Sequence, residues 1–228
     1  MPRRKLVRFQ DNTKDSLVIQ PGKSEFETVR KNWSTFFGNK NPLVLELACG
    51  KGEYTVGLAP HFPDRNFVGV DIKGNRLRYG AQEAKDLGLK NVGFIRGIIQ
   101  NIHEFFDPHT IEEIWIIHPD PRPRNSDTRR RLTCPRFLMM YEKLLVPGGL
   151  LKLKTDDVDL FTYSVETLKN EGRTILDQTD DLYNDSLLAD HFDIKTHYEQ
   201  KFHQQGRTIH YLKAIKNSLT FNSQNSIY

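Results

Sequence analysis

The chain has 228 residues, 37% of them hydrophobic and 27% charged. That length can bury a full core without disulfide or metal staples, and the composition is that of a soluble globular protein, not a fibrous, disordered or membrane-spanning one. The net charge of +4 is too mild to define a partner by itself. Residues 1–25 are polar and basic without periodicity, with Arg3, Arg4, Lys5 and Arg8 and no acid among the first ten. They are expected to form an N-terminal arm. Residues 26–37 are expected to be one helix, with Phe26, Val29, Trp33 and Phe36 or Phe37 on one face, ended by Gly38 with Pro42 beyond it.

From there strand and helix patterns alternate. Strands are expected at 43–47, 66–70, 92–96, 114–117 and 150–154, the last after the turn Pro147-Gly148-Gly149. Between them the spacing predicts helices at 52–59, 74–87 and 135–145 and a short one at 102–106. A helix at 158–170 and strands at 173–178 and 209–215 complete the pattern. Repeated strand–helix units predict one α/β domain over 26–217, a mostly parallel sheet with helices on both faces. Residues 218–228 read as a polar tail.

No apolar run approaches the roughly 20 residues of a membrane span, and none follows the charged start as in a secretory signal. Cys49 and Cys134 stand in no metal-ligand spacing, so a reducing cytoplasm is the expected compartment. His118, His197, His203 and His210 lack a helical ligand spacing with a supporting carboxylate, and are read as structural or surface residues with no metal.

In such sheets ligands bind outside the carboxyl ends of the strands, where the strand order reverses. The polar residues expected there are Glu46 with Gly50 and Gly52, then Asp71, the Gly97-Ile98 pair and Asp120. The segment Leu47-Ala48-Cys49-Gly50-Lys51-Gly52-Glu53 is a strand-to-helix turn in which glycine lets backbone approach a ligand. Asp71 lies 19 residues past Gly52, the spacing at which a carboxylate accepts both hydroxyls of a ribose, although an Asp at a strand end also caps helices. A pyrophosphate needs a third glycine and a free helix N-terminus, whereas here Glu53 would repel it. Glu46 and Glu53 suit a ligand bearing an ammonium or sulfonium charge, and S-adenosylmethionine combines such charges with ribose, adenine and no phosphate.

With these features the chain resembles the class I methyltransferases, and Pro147-Gly148-Gly149 adds to the likeness. The resemblance narrows at His118-Pro119-Asp120-Pro121-Arg122-Pro123-Arg124, followed by Arg130-Arg131-Leu132-Thr133. This is similar to the bacterial tRNA (guanine-N7-)-methyltransferase family, whose segment is an Asp-Pro-Trp-Pro core followed by basic residues. Thr155-Asp156 and Thr196-His197-Tyr198-Glu199 with Lys201-Phe202 and Gly206 match as well, and the likeness covers residues 27–215.

The resemblance implies a Rossmann-like fold with a mostly parallel seven-stranded sheet, S-adenosylmethionine as cofactor, and tRNA as partner of a monomer or homodimer. It implies methylation of guanosine 46 in the tRNA variable loop. The cofactor site it implies comprises Glu46, Gly50, Gly52, Asp71, Ile98 and Asp120, and the substrate contacts Arg124, Asp156, Thr196, His197, Tyr198 and Glu199. The chain departs from the family at several of these positions. Arg122 stands where Trp is usual, Arg124 for a usual Lys, Ala48 for the first glycine of the turn, and Ile98 for a position commonly acidic or Asn. Any cofactor contact at Ile98 is therefore expected through its backbone.

Guanine N7 attacks through an in-plane lone pair without prior deprotonation, so catalysis is expected from positioning and electrostatics. Asp120 is the expected catalytic residue. Asp156 is expected to accept from the guanine Watson–Crick edge, and Arg122, Arg129, Arg130 and Arg131 to hold RNA phosphates. Two other readings stay open: a class I methyltransferase acting on another RNA or on protein, and a non-catalytic RNA-binding module on this scaffold.

Overall fold

The computed structural model describes residues 15–215 other than Arg30. The basic cluster Arg3 to Arg8 and the tail at 218–228 lie outside these residues. Eight strands form one sheet: β1 (Val18–Ile19), β2 (Leu43–Leu47), β3 (Asn66–Asp71), β4 (Val92–Arg96), β5 (Ile111–Ile117), β6 (Leu145–Thr155), β7 (Thr174–Thr179) and β8 (His210–Ile215). Their order is β1-β4-β3-β2-β5-β6-β8-β7. All are parallel except β8, which runs antiparallel to both of its neighbours.

Side chains alternate across the sheet and fill a core on each face. Leu45 and Leu47 of β2, Val68 and Val70 of β3, and Ile114 and Ile116 of β5 point to one side. There they meet Phe137, Leu138 and Tyr141 of α5 (Pro135–Leu144) and Phe161 and Leu168 of α6 (Val158–Asn170). On the other side Val44, Phe67, Phe94, Trp115 and Tyr211 are covered by Tyr54 and Val56 of α3 (Glu53–Leu58) and by Leu77, Ala81 and Ala84 of α4 (Gly74–Asp86). Among the described residues no helix is long and apolar enough to cross a membrane.

Three features differ from the expectations above. The sheet has eight strands, not seven, because Val18 and Ile19, within the stretch read as an arm, pair in parallel with Phe94 and Ile95 of β4. Both are fully buried, and the Lys23 ammonium donates to the Val18 carbonyl at 2.8 Å. A two-residue strand has no period for a sequence to display. The helix expected at 26–37 is two helices, α1 (Ser24–Val29) and α2 (Trp33–Phe37). The break lies at Lys31, whose φ is +63° and whose N–H leaves the helical pattern to donate to the Phe105 carbonyl. Finally, Pro147-Gly148-Gly149 does not precede β6 but bulges from it, since the register with β5 jumps from Leu145 opposite Ile111 to Leu150 opposite Glu113.

With β1 already at the edge, the chain builds outward from β2 to β3 and β4 on one side, then resumes at β5 on the other side of β2. The order therefore reverses between β2 and β5, and a crevice opens at their carboxyl ends.

Candidate active site

The turn after β2 shapes this crevice. Ala48, Gly50 and Gly52 all have left-handed backbone, at φ +57°, +59° and +76°. A Cβ on Gly52 would stand 2.6 Å from the Phe94 ring, so only glycine fits there. Gly52 thus serves the turn and its packing, while Ala48 and Gly50 line the cavity. The Gly50 N–H donates to Asp71 Oδ2 at 2.9 Å, and Asp71 Oδ1 accepts the Lys73 N–H at 2.7 Å. Asp71 thereby ties the turn to the end of β3, and each of its oxygens keeps a lone pair for a further donor.

Two adjoining chambers result. The outer one, about 490 Å³, is lined by Asp71, Ile72, Gly97, Ile98, Pro119, Asp120 and Arg122 among others. Ile72 and Ile98 expose more than half or nearly half of their surface here, at 58% and 49%, which offers two apolar walls. The inner chamber, about 110 Å³, is lined by Glu46, Glu53, Ile117, Thr196, His197 and Tyr198. Ala48, Arg76 and His118 border both.

Glu46 is buried, and its Oε2 accepts from the Thr55 N–H at 2.7 Å and the Thr55 hydroxyl at 2.5 Å. Burial pushes its carboxyl up to about 8 against these bonds, with the Glu53 charge pushing the same way. An unliganded Glu46 is therefore largely protonated at neutral pH, and an incoming cation would favour its ionised form.

Behind the chambers runs a buried polar chain. The Tyr54 hydroxyl lies 2.7 Å from His191 Nδ1 and accepts from the Lys154 ammonium at 2.8 Å. Lys154 pairs with Glu199 at 2.5 Å, and the Tyr183 hydroxyl donates to Glu199 at 2.9 Å. His118 follows, its Nε2 3.6 Å from Glu199 and its Nδ1 3.1 Å from Asp156, which in turn accepts from Arg207 at 2.8 Å. Burial raises the Glu199 carboxyl, but His118 and Lys154 outweigh it and hold the group at about 2. Burial likewise opposes charge on His118, yet its two carboxylate neighbours lift it above the ordinary histidine range. His118, held between these two carboxylates, thus fixes the start of the His118-Pro119-Asp120 loop.

The structure brings Glu46, Gly50, Asp71, Ile98 and Asp120 to one crevice. Asp120 stands at its lip, with Arg122 Nε 3.2 Å from its carboxylate and a side chain 61% exposed. Arg124, Arg129 and Arg130 are exposed on and beside the 3₁₀ turn Asn125–Arg130, where Arg130 pairs with Asp127 at 3.1 Å.

Two expectations are corrected. Arg131 does not face solvent: it is buried, donates to the Arg122 carbonyl and stacks 4.4 Å above the Tyr163 ring, so it holds the loop instead of a phosphate. Glu199 is fully buried on Lys154, and it closes a capping box with Thr196, also buried, at the start of α7 (His197–Gln204). Both position α7, which leaves His197 and Tyr198 on the outside, and Thr196 also lines the inner chamber. His118, read as structural or surface, holds the loop through Asp156 and also borders both chambers. Its place directly before Pro119-Asp120 was the available signal. Lys154, with Lys152 one of two cations in an apolar strand, was another.

A sheet with this order, an acid at the end of its second long strand and a cleft at the reversal defines a class I methyltransferase fold. A crystal structure described as 16S rRNA methyltransferase KamB superposes with a TM-score of 0.61 over 86% of this chain and 94% of that one, at 15% identity, a likeness of fold. The profile of a family described as "Putative methyltransferase" matches residues 40–212. The chain belongs to the tRNA (guanine-N(7)-)-methyltransferase family. It is 43% identical over 215 residues to the member from Cytophaga hutchinsonii, covering 93% of this chain and 97% of that protein. It is 41% identical to the member from Bacteroides fragilis, covering 94% and 86%.

Proposed function

We propose that the protein transfers a methyl group from S-adenosylmethionine to N7 of guanosine 46 in the variable loop of tRNA, in the cytoplasm. One observation carries the choice of cofactor: the turn after β2 is built against a phosphate. The Gly50 N–H is committed to Asp71, and Glu53 occupies the first turn of α3. The donor set fits S-adenosylmethionine instead, with Asp71 for the ribose hydroxyls, Ile72 and Ile98 for the adenine faces, and Glu46 and Glu53 for the cationic end. The family resemblance and the relatives' names support the tRNA substrate.

When bound, the cofactor supplies a methyl group on a cationic sulfur; the guanine N7 lone pair forms the new bond while the sulfur keeps the electrons of the old one. No base is required, so the protein's task is placement. Asp120 stabilises the positive charge that grows on the guanine, and its bond to Arg122 holds the carboxylate at the lip until the base arrives. Asp156, fixed by His118 and Arg207, presents a carboxylate to the base edge. Arg124, Arg129 and Arg130 grip phosphates and give binding its salt dependence.

The test is transfer from labelled S-adenosylmethionine to unmodified tRNA, with product nucleosides identified by mass spectrometry. The expected product is 7-methylguanosine at one variable-loop position. Another methylated nucleoside would overturn the substrate, and no transfer despite cofactor binding would overturn the reaction. Asp120→Ala is expected to abolish transfer while tRNA binding persists.

A further inference from the structure

Arg76 is a cation that the roles above do not use. It projects from the first turn of α4 and borders both chambers. Its Nη1 would lie 3.9 Å from a Cβ on Gly50, so it closely overhangs the turn. Its Nη2 donates to the Tyr198 hydroxyl at 3.2 Å, and its guanidinium stands 5.8 Å from the centre of that ring. Arg122 and Arg130, by contrast, already pair with Asp120 and Asp127. Arg76 thus has the Tyr198 hydroxyl and ring face as partners, beside a chamber walled by Glu46 and Glu53.

The inner chamber, at about 110 Å³, is too small for a nucleoside and carries both signs of charge. Its lining sets Glu46 and Glu53 beside Lys51 and Arg76, which suits a guest of both charges better than an RNA phosphate. A zwitterion meets the acids with its ammonium and the guanidinium with its carboxylate, and an Arg fork matches a carboxylate in two parallel bonds. We infer that Arg76 binds the α-carboxylate of the cofactor's amino-acid head, and that Tyr198 is the positioning residue that holds the guanidinium over the inner chamber until the cofactor enters. This rests on S-adenosylmethionine being the cofactor. It also links the two ligands, because Tyr198 lies on the exposed face of α7, where substrate contacts are expected.

The experiment is calorimetric binding of two probes to the full chain and to Arg76→Gln. S-adenosylhomocysteine carries the amino-acid head, and 5′-methylthioadenosine lacks it. Loss of a charge-assisted bond is expected to weaken S-adenosylhomocysteine roughly 10- to 100-fold while 5′-methylthioadenosine binds as before, which also shows that the variant site is folded. Arg76→Lys, which keeps the charge but not the fork, is expected to fall between. Equal weakening of both probes would overturn the inference, as would unchanged S-adenosylhomocysteine binding. A loss confined to tRNA affinity would assign Arg76 to a phosphate and overturn it too. Failure of the unaltered protein to bind either probe would overturn the cofactor reading itself; binding of both with an indifferent Arg76→Gln would overturn only this one.

Discussion

Replacing Glu46 with Gln tests the electrostatics of the inner chamber directly. The carboxyl's ordinary 4.5 is pushed up to about 8 by burial. Between those values the folded chain holds a proton that the unfolded chain has released, so its contribution to stability is complete below about 4.5 and is lost as pH rises to about 8. At about 1.4 kcal/mol per pH unit of displacement, the full loss is of order 5 kcal/mol, an upper value for a group that borders an open cleft. Gln is neutral throughout, and its carbonyl oxygen can accept the same Thr55 N–H and hydroxyl. His118 and His191 also titrate differently in the folded state, but they are present in both proteins and cancel in the comparison. Urea unfolding at about pH 5, 6.5 and 8.5 is the assay. Near pH 5 the two proteins should differ by less than about 1 kcal/mol, and near pH 8.5 Glu46→Gln should be the more stable by about 2–5 kcal/mol. Stability curves that run parallel across this range would refute the reasoning.

The same site should release a proton when S-adenosylhomocysteine binds near neutral pH, seen as a binding enthalpy that varies with the buffer's ionisation enthalpy. Lys154→Met leaves Glu199 buried without its cation and should cost about 3–5 kcal/mol in urea unfolding, much of it recovered when Glu199 is also made apolar. Arg131→Ala should lower stability by roughly 1–2 kcal/mol without changing the salt dependence of tRNA affinity, since it loses a stacked, hydrogen-bonded loop contact. Arg129→Ala should do the reverse, reducing the slope of log affinity against log salt by about one phosphate's share while leaving stability within about 0.5 kcal/mol. Gly52→Ala should destabilise by about 2 kcal/mol or more, because the left-handed backbone and the Phe94 ring both oppose a methyl group.

The sequence by itself determined the alternation of strands and helices, because an apolar run bounded by turn residues registers burial locally. β4 and α6 fall where the pattern put them. It also determined the turn at Gly50 and Gly52, the acid at Asp71 and the loop around Asp120, since backbone conformation and strand ends leave marks in the residues themselves. Only the tertiary structure decided which charges face outward. Arg130 and Arg131 are neighbours in one basic run, yet one is exposed on Asp127 and the other is buried on Tyr163. Glu199 and Tyr198 are likewise adjacent, one sealed on Lys154 and the other out beside Arg76. A buried charge needs a partner to offset its lost hydration, and these partners come from distant parts of the chain, as the 100-residue separation of Lys154 from Tyr54 shows. No local pattern can announce a partner that folding alone brings near.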